Sequence, residues 1–71
     1  MPKPSVNEKF LFISSDEEIQ FVSEHLPNRK DANHYFLFKY TKSVFKQGNS
    51  LEIKPSEWER LASFNVFKKV A

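Results

Sequence analysis

Two copies of Phe-Leu-Phe, at Phe10-Leu11-Phe12 and Phe36-Leu37-Phe38, constrain this chain more than any other feature. Side chains alternate across a strand, so Phe10, Phe12, Phe36, Phe38 and Tyr40 share one sheet face while Leu11, Ile13, Tyr35 and Leu37 share the other. A chain of 71 residues is one domain, and it buries only about 60% of the surface that its unfolded form exposes. Its core must be dense. Eight Phe, two Tyr and one Trp supply that density, since each buried ring removes roughly 150–250 Å² from water.

Residues 1–8 hold two prolines and no periodicity, and read as a flexible leader to a single domain over residues 9–71. Lys9 to Ser14 is a short strand, apolar on both faces. Ser15-Asp16-Glu17-Glu18 then has the form of a capping box, and Ile19, Val22 and Leu26 recur at helical spacing until Pro27 and Asn28 end the element. A polar loop follows, and His34 to Phe45 reads as a long strand free of Gly and Pro. Lys46 to Ser50, with the single glycine Gly48, reads as a hairpin connection, and Leu51 to Lys54 as the returning strand. Pro55 and Ser56 start a second helix, in which Ser56 and Glu59 form another capping box and Trp58, Leu61 and Ala62 form the buried stripe. Asn65 to Val70 is either a last strand or the frayed end of that helix. The order β-α-β-β-α, with an optional final β, predicts an α+β fold of the ferredoxin-like, split βαβ kind. In that arrangement both helices cover one face of an antiparallel sheet and leave the other open.

The absence of cysteine excludes a disulfide framework and a cysteine-based metal or redox site, and it fits a cytoplasmic protein. No apolar run approaches the roughly 18 residues of a membrane span. His25 and His34 are accompanied by no nucleophile motif, phosphate-binding glycine loop or ligand cluster, so we expect no enzyme, cofactor or metal. Charge is uneven. Residues 1–30 carry four basic against five acidic side chains, and residues 31–71 carry seven against four. The basic bias lies in the second half.

Two functional readings follow. If the leucine face lies under the helices, the rings form an open platform on which bases stack while lysines hold phosphates. This is a small regulatory nucleic-acid-binding domain, with Lys39, Lys42, Lys46 and Lys54 as phosphate contacts and Phe38, Tyr40 and Phe45 for stacking or packing. The alternative for the rings is that they form the core. The rival function, favoured by the near-balanced net charge of +2 and the lack of catalytic motifs, is a small protein-binding module, such as a phage-type inhibitor or regulator that occupies a partner's surface. An exposed apolar face is also a candidate homodimer seam.

Residues 46–55, Lys-Gln-Gly-Asn-Ser-Leu-Glu-Ile-Lys-Pro, resemble the AbrB/MazE-type swapped-hairpin DNA-binding family, with one apolar residue fewer before the proline. The resemblance implies a dimer whose basic hairpins contact DNA through Lys46, Asn49, Ser50 and Lys54. Gly48 to Leu61 is more loosely similar to the positive-cofactor-four type of single-stranded DNA-binding family, with Ser50, Leu51, Trp58 and Leu61 at the matching positions.

Overall fold

Strand alternation prevails over helical spacing in the first half of the chain. In the computed structural model, which describes residues 2–70, the elements run β1 (Lys9–Phe12), β2 (Glu18–His25), β3 (Tyr35–Lys42), β4 (Ser50–Ile53), α1 (Pro55–Ser63) and β5 (Phe67–Lys69). The class is α+β with strands dominant. The expected helix over residues 15–26 is instead β2, so the order is ββββαβ and not the split βαβ arrangement. The reason lies in Phe21, which the helical stripe leaves out. As a strand, Glu18-Ile19-Gln20-Phe21 buries Ile19 and Phe21 fully and leaves Val22 and Leu26 exposed.

The acidic run before β2 makes a turn, not a cap. Asp16 takes a left-handed φ of 60°, its N–H bonds the Phe12 carbonyl at 2.8 Å, and the Phe12 N–H bonds the Glu17 carbonyl at 2.8 Å. Val22 is the extra residue of a β-bulge: Phe21 pairs with Phe38 and Ser23 with Leu37.

The five strands form one antiparallel sheet in the order β4-β3-β2-β1-β5. Helix α1 crosses one face, from the β4 edge to the β5 edge. Its Trp58 is 1% exposed and touches four phenylalanine rings: Phe10 at 5.0 Å, Phe38 at 5.5 Å, Phe67 at 4.7 Å and Phe36 at 6.1 Å between centroids. The aromatic face is therefore the core, and the open face carries Leu11, Leu37, Tyr35 and polar residues. The second capping box does not form. Lys54 is the N-cap residue, Pro55 opens the helix, and no side chain caps it.

One further boundary differs from expectation, and one open alternative is resolved. β3 ends at Lys42, so the hairpin connection is the longer segment 43–49, closed by Gly48 N–H to the Tyr40 carbonyl at 2.9 Å and Tyr40 N–H to the Asn49 carbonyl at 2.9 Å. Residues 67–69 form a true strand beside β1. Residues 2–8 contain no helix or strand, and they are fastened to the domain. Pro4 is buried, the Trp58 indole N–H donates to the Pro2 carbonyl at 3.2 Å, and Asn7 N–H donates to the Phe21 carbonyl at 3.0 Å.

Candidate functional site

The meander places the β1–β2 turn, the β3–β4 connection and the α1–β5 turn at the same end of the sheet. Each carries exposed apolar side chains: Ile13 (56% exposed) on the first, Val44 (88%) and Phe45 (92%) on the second, Phe64 (71%) on the third. These are four of the seven large apolar side chains that stand exposed among the described residues. With strands about 4.8 Å apart, the three loops span a rim on the order of 20 Å across. Lone exposed apolar residues are ordinary, but their concentration on the loops of one end is not.

The Val44–Phe45 segment is held in place by its neighbours. The Ser43 hydroxyl donates to Glu17 Oε2 and accepts from Lys46 N–H at 3.0 Å, while Lys42 Nζ pairs with Asp16 Oδ2 at 2.9 Å. Lys46 Nζ sits 5.5 Å from the centroid of the Tyr40 ring, a cation–π contact. The Ser43 hydrogen bond is the chief cause holding the Glu17 carboxyl below the usual carboxylate range, and the Asp16 hydrogen bond raises the Lys42 ammonium above its ordinary value. Charges at this end thus neutralise one another beneath an apolar tip.

The residues nominated for nucleic acid are dispersed. Lys39 stands on the open sheet face between Gln20 and Ser50. Lys42 is engaged by Asp16, and Lys46 lies over Tyr40, a residue of the covered face. Lys54 is at the opposite end of the sheet, roughly 23 Å from Lys42 by strand rise. Phe38 (0% exposed) and Tyr40 (7%) belong to the core, so the expectation that they stack on bases is corrected: a small domain needs both rings inside. Asn49 serves the turn through its backbone, donating to the Lys46 carbonyl at 2.9 Å. Among the nominated aromatics Phe45 alone is exposed.

Sequence reasoning missed Ile13, Val44 and Phe64 as surface residues, and Lys9 and Lys68 as neighbours of Lys39 on the open face. One signal was present: Val44 and Phe45 are adjacent and both apolar, so a strand cannot bury both on one face.

At the other end of the sheet, His25 Nε2 lies 3.1 Å from Asp31 Oδ2 and His34 Nε2 lies 2.7 Å from Glu24 Oε2. The backbone N–H of Asn33 first, and His25 after it, hold Asp31 below its usual range; His34 and then Lys3 do so for Glu24. Both histidines thus clasp the 26–34 loop to the ends of its strands. Among the described residues, no three His, Asp or Glu side chains converge as metal ligands, and no helix is long and apolar enough to cross a membrane. Compared with family models, with curated proteins and with solved structures, the chain matches none, and the functional reading rests on the geometry of these surfaces.

Proposed function

We propose that this chain is a small non-enzymatic protein-binding module that seats the loop end of its sheet on a partner protein, with Phe45 as the anchor. The observation that carries the reading is the placement of Ile13, Val44, Phe45 and Phe64 on three loops at one end of a rigid sheet. Aromatic anchors on pre-held loops bind at low ordering cost, because little conformational freedom remains to be lost. The local charges offset one another, Lys42 in an ion pair with Asp16 and the Lys46 ammonium through space with Glu17, so the matching surface is an uncharged apolar cleft rather than a polyanion. For the same reason the hairpin is a poor phosphate site.

The test is site-directed photo-crosslinking with benzoylphenylalanine at position 45, against the same label at the exposed helix residue Ser56. One partner should crosslink from position 45 and not from 56, and its affinity for Val44→Ser/Phe45→Ser should fall about 30-fold, the loss typical of a hot-spot residue. Equal affinity of that partner for the double variant and the parent, with both folded, or equal crosslinking from positions 45 and 56, would sink the proposal.

A further inference from the structure

The open sheet face is a second surface, independent of the loop end, and its side chains have their own chemistry. Lys39, Lys9 and Lys68 cross it from β3 to β1 to β5. Gln20 lies between Lys39 and Lys9, which are therefore two strand spacings apart, about 10 Å. Lys68, opposite Leu11, is one strand over and two residues along from Lys9, about 8 Å. Lys39 and Lys68 form no ion pair among the described residues, and Lys9 reaches Glu18 only at 3.7 Å. Glu18 is partly satisfied by the Thr41 hydroxyl at 2.8 Å, and Glu52 is the other acid on this face. At one end of the face Tyr35 and His25 lie ring on ring, 4.6 Å apart and 9° from parallel.

We propose that this face binds single-stranded nucleic acid, with Lys39, Lys9 and Lys68 on successive phosphates and Tyr35 as the stacking ring. A flexible single strand can follow a row of lysines across a sheet and turn a base onto an aromatic at its end, whereas a duplex keeps its bases stacked inside. Charge complementarity selects the occupant. The face offers three cations, two of them unpaired, while the two lysines at the hairpin connection, Lys42 and Lys46, are engaged by Asp16 and by the Tyr40 ring.

The probe is fluorescein-labelled dT15, followed by anisotropy at 50 and 200 mM salt, with a duplex of equal length beside it. Three neutralised phosphates on a single strand give a salt slope of about −2, so affinity should fall roughly 18-fold between the two salts. Lys39→Gln/Lys68→Gln should weaken binding and reduce that fall to about threefold. Tyr35→Leu keeps apolar cover over the strand and should cost about tenfold with the salt slope unchanged. Val44→Ser/Phe45→Ser should leave dT15 binding intact, which separates this surface from the loop end. Absence of binding at 50 mM salt would overturn the proposal, as would a duplex bound as tightly as dT15 or a lysine double variant with the parent's slope.

Discussion

Trp58 is the residue on which the core converges, because it is the one side chain of α1 large enough to touch strands β1, β3 and β5 together. Trp58→Ala should cost about 3–5 kcal/mol, most of the stability expected of a domain this small, and urea unfolding followed by circular dichroism will show it. Gly48 makes a different argument. Its φ of +85° lies in the left-handed region, yet a Cβ added there meets nothing within 4 Å. Gly48→Ala should therefore cost only the backbone penalty, about 1–2 kcal/mol, with the fold unchanged. The role of Trp58 was legible in the sequence because a helix start, a tryptophan and a leucine three residues on define one stripe. Phe38 and Tyr40 were not, since alternation shows that they share a face but cannot say which face the helix covers.

Among the elements, β2 and α1 show what local pattern can decide. Residues 15–26 satisfied both a capping box and a helical stripe, and only pairing with β1 on one side and β3 on the other made the strand prevail. Helix α1 was legible to within a residue or two, although its cap was not: Ser56 falls inside the first turn and Lys54 occupies the N-cap without a side-chain acceptor. That vacancy predicts a stabilised variant. Lys54→Asp supplies the acceptor and places a negative charge at the positive end of the helix dipole, and should raise stability by about 0.5–2 kcal/mol in urea titration. The last strand was undecidable locally, because three residues have no strand propensity to speak of until β1 offers an edge to pair with.

For the molecule as a whole, hydrogen bonds and ion pairs to surface carboxylates set the pH range of stability. Glu8, held down chiefly by Lys69, together with Glu17, Glu24 and Asp31, has a carboxyl below its usual range. A carboxyl depressed by folding stabilises above its unfolded pKa, so that contribution is lost as pH falls through about 4 and below. Lys42 is shifted up, and its contribution is present at lower pH and lost as pH rises beyond about 10. Thermal melts should accordingly show a plateau from about pH 5 to 10 with a decline on each side. Because the Glu8–Lys69 and Glu24–Lys3 pairs lie at the surface, 0.5 M salt should shallow the acid limb. The candidate surfaces exist only at this scale: chain topology, not local sequence, gathers Ile13, Val44, Phe45 and Phe64 at one end and lines up Lys39, Lys9 and Lys68.

The pairing of the first strand with the last also sets an order of events during synthesis. Phe10 is sealed by Trp58 and Phe67, which a ribosome adding about 5–20 residues per second delivers only after strands β1 to β4. Until both have emerged, the nascent meander carries a bare phenylalanine face with nothing to lay over it. A product terminated before codon 58 would be an uncovered sheet, and so a substrate for chaperones and proteases rather than a smaller working protein.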